Sequence, residues 1–290
     1  MEKVLLIMQS PIDKRNFINT MPPLGILYIA SFLESKGIIS DVIDYNVSDV
    51  DYSVARNYDL VCFSVNCGNI SNTVNMAKVI KEKYKKEIIV GGPQVTSDAK
   101  FFLDKEYIDG AVICEGEYTL YEYIKDKKIT KGLYLKNKEK EIIFGGHRPF
   151  IEDINSLPFP AFHKIDIKKY NVPIKKRMPV STIITSRGCP FKCIFCFHSL
   201  GNMFRPRSPK NVVDEIEWQK DNFKIREICI QDDNISLDIN RAKQIFSGII
   251  EKKLNIMFQL YNGIRVDMVD ETLLRLMKKA GLWLMNVSPE

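Results

Sequence analysis

The sequence predicts an α/β protein: a doubly wound, Rossmann-like parallel sheet at the amino terminus, followed by a second series of βα units. Three observations carry this. Short apolar runs of strand length alternate with stretches whose apolar residues recur at helical spacing, and the alternation occurs twice. Prolines 149, 158, 160, 173 and 179 puncture the stretch between the two series. The 290 residues suit about two domains of ~100–200 residues.

The first series opens with a strand at 4–8. Residues 25–33 (GILYIASFL) repeat at helical spacing after Pro22-Pro23, and Gly37 stops them. Residues 39–43 and 60–65 read as strands, 69–84 as a helix, and 88–90 as a strand broken by Gly91-Gly92-Pro93. A helix at 98–103, a strand at 111–114 and a helix at 119–124 follow. Residues 132–135 and 142–144, around the polar KNKEKE turn, read as a β-hairpin closing a first domain over 1–145. Residues 146–179 read as a linker. In the second domain, 180–290, strands are expected at 181–185, 227–231, 257–261 and 282–287, with helices at 211–220, 240–252 and 271–279.

Hydrophobic residues at 45% and charged residues at 27% exclude wholesale disorder. The net charge of +6 is mild and lies mostly in Lys runs at 81–86 and 136–140, which read as solvated faces, so nucleic acid is not an expected partner. No apolar run approaches the ~20 residues of a membrane span. The first residues pass straight into a strand pattern, too short in their apolar stretch for a signal peptide, and the expected location is the cytoplasm. Seven cysteines without a secretion signal do not read as a disulfide framework. Cys62, Cys114 and Cys229 sit in strand-like runs as small buried hydrophobes, and Cys67 stands alone. Cys189, Cys193 and Cys196 crowd into one segment.

That segment, SRGCPFKCIFC at 186–196, follows a strand directly, at the carboxyl end where α/β sheets carry their chemistry. Three thiolates at C-x3-C-x2-C spacing can reach a common centre, and thiolates suit zinc or iron–sulfur clusters. His198 could complete a Cys3His zinc set, although zinc knots usually pair ligands from two separated turns. A cubane held by three cysteines would leave one iron open, as a catalytic metal requires. Spacing alone leaves both readings standing.

The pattern Cys189-x3-Cys193-x-Phe195-Cys196 is similar to the signature of the radical S-adenosylmethionine (radical SAM) superfamily. Pro22-Pro23-Leu24-Gly25-Ile26-Leu27, Gly91-Gly92-Pro93 and Glu115-Gly116-Glu117 resemble its cobalamin-binding subfamily. So do Leu157-Pro158-Phe159-Pro160, Asp232-Asp233-Asn234 and Asn262-Gly263-Ile264-Arg265-Val266-Asp267. The resemblance runs in order through nearly the whole chain. It implies that the second domain is a partial (β/α) barrel of the radical SAM type, with Cys189, Cys193 and Cys196 holding a [4Fe–4S] cluster. The free iron would bind the amino and carboxylate groups of S-adenosylmethionine. One electron, from a donor such as flavodoxin or ferredoxin, would cleave it to methionine and a 5′-deoxyadenosyl radical that takes hydrogen from a small-molecule substrate.

The same resemblance puts Phe195 beside the adenine and Asp232 and Asp233 against the ammonium, with a solvated turn as the alternative for the two aspartates. Asn262 and Arg265, expected just after the third strand, would reach the carboxylate, since a guanidinium can grip one bidentately; a surface ion pair is the alternative. Ser288 and Glu290 would complete the pocket. In the first domain the corrin of cobalamin would lie over the carboxyl ends of the strands, near Leu24, Gly25, Ser64, Gly91, Gly92, Pro93, Gln94, Glu115, Gly116 and Glu117. Gly91 and Gly92 could admit a planar ligand or simply make a tight turn.

Two departures bear on cobalamin. The chain has no histidine before His147, and Gln94 stands where relatives often have one, so cobalamin is expected without a protein histidine on cobalt. Cys114 replaces a common glycine. The expected activity is radical methylation or rearrangement of a small molecule. A methylthiotransferase is disfavoured because Met8-Gln9-Ser10-Pro11 carries no cysteine after the first strand. The second domain shows about four strands where relatives run toward six. It is therefore expected either to be covered by a partner chain that completes the barrel or to be a shortened, non-catalytic iron–sulfur and corrinoid-binding protein.

Overall fold

Val4, Leu5, Leu6 and Ile7 are all buried, as a strand covered on both faces requires. In the computed structural model, which describes residues 2–11 and 21–288, they form β1 (Lys3–Met8). With β2 (Ile39–Asp44), β3 (Leu60–Ser64), β4 (Glu87–Gly91) and β5 (Gly110–Val112) it makes a parallel sheet in the order β2-β1-β3-β4-β5. The hairpin β6 (Leu133–Lys136) and β7 (Ile142–Phe144) adds antiparallel to β5. Helix α1 (Leu24–Ser35) buries Ile26, Leu27, Ala30 and Leu33. Helix α2 (Ile70–Tyr84) sets Met76, Ala77 and Ile80 in a core with Leu5, Ile7, Val61 and Phe63. By the two-residue strand period, Val4 and Leu6 point to the opposite face.

Two expectations for this unit change. The helix expected at 98–103 is preceded by another, so the chain forms α3 (Pro93–Ser97) and α4 (Ala99–Leu103). Asp98 leaves helical geometry between them and caps α4 by accepting from the Phe101 amide at 3.0 Å. The strand expected at 111–114 ends at Val112, and Cys114 lies beyond it with φ of 59°. That left-handed conformation favours glycine, the residue that Cys114 replaces in the resembled pattern. Helix α5 (Glu117–Asp126) follows.

The second unit has β8 (Val180–Ile183), a short ribbon of β9 (Ser186–Arg187) and β10 (Arg205–Pro206), and α6 (Pro209–Phe223). Then come β11 (Glu227–Ile230), α7 (Ile239–Glu251), β12 (Met257–Arg265), α8 (Glu271–Ala280) and β13 (Leu282–Ser288). Strands β8, β11, β12 and β13 lie side by side in chain order, all parallel, as staves of a (β/α) barrel do. Ser208, Asp238 and Asp270 cap the three helices by accepting from the amides of Asn211, Arg241 and Leu273. The chain forms two compact units: the first takes Pro23–Ile151 and Pro158–Ile165 with the start of the chain, and the second takes Met21 and Pro22, Glu152–Leu157 and the chain from Asp166. No helix among the described residues is long and apolar enough to cross a membrane.

Glu227 holds the amino end of the second sheet. It is fully buried and accepts from the amides of Lys176 and Arg177, both at 2.7 Å, from Trp283 Nε1 at 3.0 Å and from Gln259 Nε2. Glu227→Ala strands these donors and should cost about 3 kcal/mol or more, read as a lower unfolding midpoint in urea at unchanged m-value. Wild-type stability in that variant would show that the carboxylate carries no such load.

Candidate cofactor sites

The cysteine loop leaves the carboxyl end of β8 and is closed at its base. Arg187 pairs with Arg205 and Ser186 with Pro206, so residues 188–204 project from an antiparallel ribbon. Gly188 turns the chain out of β9 at φ of 83°. The Cys189 amide donates to Gly201 O at 3.3 Å, the Cys196 amide to Cys193 O at 3.1 Å, and Arg205 Nη2 to Leu200 O at 2.6 Å. None of the three is in a disulfide; Cys189 and Cys193 are partly buried and Cys196 is exposed. Among the described residues no three His, Cys, Asp or Glu side chains stand at metal-holding spacing, so neither the cysteine triad nor a Cys3His set is drawn together. Burial pushes the Cys189 thiol above its ordinary pKa, against a hydrogen bond from the Phe191 backbone. Phe195 is 79% exposed, and Ile194, Phe197 and Met203 are exposed around it.

The paired aspartates part company. Asp232 is buried, not on a solvated turn, and its carboxylate is taken up by the chain itself: it accepts from the amide and hydroxyl of Thr185 and from Ser186 Oγ at 2.6 Å. Burial is the largest influence on it and raises its pKa, while these bonds pull the other way. Asp233 faces solvent beside the loop and accepts from the Gly188 backbone. The protein mass around its carboxyl, then the Asp232 charge, raise its pKa, and His198 opposes them. Asp232 is thus an anchor for the segment entering the loop, and Asp233 is the acceptor left outward.

Asn262 and Arg265 do not follow the third strand; they lie within it. Gly263, at φ of 92°, makes an irregularity that β12 passes through, and pairing with β13 resumes at Ile264. Asn262 Nδ2 donates to Gln231 O at 3.0 Å and to Asp232 O at 3.3 Å. Arg265 has its Cζ 3.9 Å from the Phe191 ring centroid and grips Asp267 with Nε at 3.1 Å and Nη2 at 2.8 Å. Arg265 is thus ion-paired with Asp267. Glu290 lies outside the described residues, as does the Ser288 side chain.

The sequence reading missed a buried polar cluster beneath the loop. Arg207 pairs with Glu215 at 2.5 Å, and Gln219 Nε2 donates to Glu215 Oε1 at 2.9 Å, all three side chains being buried. A signal was present: Glu215 and Gln219 share a helix face with Val212 and Ile216, where charge is out of place.

In the first unit the strand order reverses between β1 and β3, and open α/β sheets take ligands outside the strands' carboxyl ends at such a point. Asn69, buried at the start of α2, bridges the two ends: its Nδ2 donates to Gln9 O and Ser64 O, each at 3.1 Å. Asn72 Nδ2 donates to Ser10 O at 3.0 Å. Gly92, at φ of 104°, is needed by the turn itself, since a Cβ there would lie 2.8 Å from Val65 O and 2.9 Å from Val65 N. Pro93 starts α3, and the Gln94 amide donates to Val65 O at 3.1 Å. Glu115 is buried and accepts from the Ile151 amide at 2.7 Å; Gly116 and Glu117 are buried as well. Leu24 and Gly25 open α1, and a Cβ on Gly25 would meet nothing within 4 Å.

Family models decide what these two units are. One for the B12 binding domain matches residues 13–124, and one for the Radical SAM superfamily matches residues 183–290, the whole cysteine loop included. The chain carries a radical SAM domain. A B12-binding domain precedes it. It is 29% identical to an uncharacterised methyltransferase of Pyrococcus horikoshii, over 96% of this chain and 63% of that protein. It is 26% identical to cytidylyl-2-hydroxyethylphosphonate methyltransferase of Streptomyces wedmorensis, over 97% of this chain and 64% of that protein. The radical SAM chain thus spans somewhat less than two thirds of these relatives. Among solved structures it resembles the radical S-adenosylmethionine methyltransferase TsrM from Kitasatospora setae, with a TM-score of 0.77 at 17% identity, over 99% of this chain and 59% of that one. It also resembles the cobalamin-dependent S-adenosylmethionine radical enzyme OxsB, with a TM-score of 0.78 at 20% identity, over 98% of this chain and 44% of that one. These likenesses establish the fold.

The radical SAM domain implies a [4Fe–4S] cluster with S-adenosylmethionine, and the B12-binding domain implies cobalamin. The residues present fit both. Three thiols outside any disulfide, on one loop at a sheet's carboxyl end, suit a cluster with one iron left open. In the first unit Gly25 is exposed, and among the described residues no atom outside its own helix lies within 4 Å of a Cβ built there.

Proposed function

We propose that the chain is a radical SAM enzyme in which Cys189, Cys193 and Cys196 hold the cluster, acting with cobalamin to methylate or rearrange a small molecule. The observation that carries this is the three-thiol loop, closed at its base by β9 and β10 at the carboxyl end of a parallel sheet. When bound, the cluster supplies the electron that cleaves S-adenosylmethionine. The chain's own residues bind and orient. Asp233 offers an outward acceptor for the ammonium group, and Asn262 holds the Gln231–Asp232 backbone behind it. Phe191 carries Arg265 in position to hold a carboxylate, at present that of Asp267. Phe195 offers an exposed ring for the adenine.

Methyl transfer is favoured because the two relatives described above are methyltransferases by name. An electron donor such as flavodoxin or ferredoxin and a cytoplasmic location complete the proposal, in keeping with seven cysteines outside any disulfide. The test is anaerobic: reconstituted chain, S-adenosylmethionine and a chemical reductant, with 5′-deoxyadenosine measured by mass spectrometry. Cluster-loaded protein that releases none, with and without added cobalamin, would count against the assignment.

Cobalamin should bind without nitrogen from the chain on cobalt. No histidine precedes His147, which lies beyond the hairpin against Phe144. Electron paramagnetic resonance of the cob(II)alamin complex is expected to lack nitrogen superhyperfine splitting; splitting in the wild type, lost in His147→Ala, would contradict this.

A further inference from the structure

Arg241 stands in the first turn of α7 and is 5% exposed. Its Nε donates to Arg207 O at 2.7 Å and its Nη2 to Thr185 O. Thr185 belongs to the stem that enters the cysteine loop, and Arg207 to the stem that leaves it. One guanidinium therefore joins both. The stems also meet directly, the Arg207 amide donating to Thr185 O at 2.9 Å. Around this point Arg207 Nη1 donates to Ile184 O at 2.9 Å and pairs with Glu215, while Asp232 holds Thr185 and Ser186. The buried Arg207 pairs with the buried Glu215, and the buried Asp232 favours the charged form of Arg241, as charges kept inside a protein need opposite charges near them. The Arg241 Cζ lies 6.0 Å from the ring centroid of Phe204, at the far end of the loop.

We propose that Arg241 is a positioning residue for the cysteine loop: it fixes the spacing of the two stems against the rigid helix α7, and so the approach of Cys189, Cys193 and Cys196 to a common centre. The proposal rests on the reading of those cysteines as cluster ligands. The loop needs such a device because it has little regular structure beyond the two-residue ribbon, and ligands on irregular backbone depend on the groups behind them for their geometry. Arginine suits the task and lysine does not. The planar fork donates along two fixed directions to two carbonyls, whereas an ammonium is a single point charge on a flexible stem. The side chain is also too buried to serve as a surface cation. Burial pulls its pKa below the ordinary value, and the Asp232 charge is the largest influence holding it up.

The test compares the wild-type chain with Arg241→Lys and Arg241→Gln, purified anaerobically without cluster and then reconstituted with iron and sulfide. Before reconstitution, amide exchange at residues 185–187 and at Arg205 and Arg207 should quicken roughly ten- to a hundredfold, the loss expected for one or two charge-assisted hydrogen bonds. Alkylation of Cys189 and Cys193 by iodoacetamide should quicken with it, while the exposed Cys67 serves as internal reference. After reconstitution, the reduced-cluster resonance spectrum of Arg241→Lys should be broadened and lower in spin count.

Two results would overturn the proposal. One is exchange, alkylation and cluster spectrum in both variants equal to wild type. The other is loss of protection spread evenly over the second unit, which would make Arg241 an ordinary core residue. A wild-type chain that accepts no cluster, alongside variants whose stems still loosen selectively, would keep the clamp and remove the cluster reading instead.

Discussion

Cys193→Ala should reduce iron from about four per chain to background after anaerobic reconstitution, and abolish S-adenosylmethionine cleavage with it. The size of the effect follows from the donor set. The loop offers three thiols within eight residues, and the other cysteines stand elsewhere: Cys62 and Cys229 are buried in strands, and Cys67 and Cys114 belong to the first unit. Nothing nearby replaces the lost sulfur. Cys193 is the middle thiol, so its removal leaves two thiols separated by six intervening residues and no chelating pair. Cys67→Ala, an exposed cysteine of the first unit, should leave iron content unchanged and excludes a general effect of thiol loss. Colorimetric iron and sulfide assays with resonance spectra of the reduced protein make the measurement. Tightly held zinc at one per chain, released by His198→Ala, would establish the zinc centre in place of the cluster.

What could be read from the chain, and what could not, divides by length of pattern. Strands β1, β3 and β4 are buried on both faces and show as unbroken apolar runs, and the long helices α2, α6 and α7 show their apolar stripes. The ribbon β9–β10 has two residues on each side, too few to show any period, and Arg205-Pro206-Arg207 looks like a polar turn until its guanidiniums are seen to be buried. Gly263 reads as a strand stop by its residue type; only its position opposite Asn286 shows it to be an irregularity within β12. Of the adjacent aspartates, which one turns inward depends on the strand register of β11, and a sequence does not carry that. The cysteine spacing, by contrast, is local and was legible at once.

Gly188→Ala should open the loop without unfolding the protein. Gly188 has φ of 83°, and a Cβ there would stand 2.2 Å from Met203 O, 3.0 Å from Gly201 O and 3.2 Å from Leu200 O. All three obstacles are backbone carbonyls of the returning half of the loop, so no side chain can swing aside to make room. Left-handed geometry alone costs an L-residue about 1 kcal/mol; with the overlap, the closed loop should lose about 3 kcal/mol or more. A domain with ~5–15 kcal/mol of stability survives that, but a local loop does not hold its shape against it. The bond from the Cys189 amide to Gly201 O should be lost first, and iron retention should fall at least ~tenfold, since 1.4 kcal/mol is already a factor of ten. Gly146→Ala is the matching control. Gly146 has φ of 87° in the first unit but open space around its Cβ, so it carries the conformational cost without the collision. It should lower the unfolding midpoint slightly and leave cluster content untouched. Equal iron retention in Gly188→Ala and wild type would mean that the loop need not pass close over Gly188 when the three thiols come together.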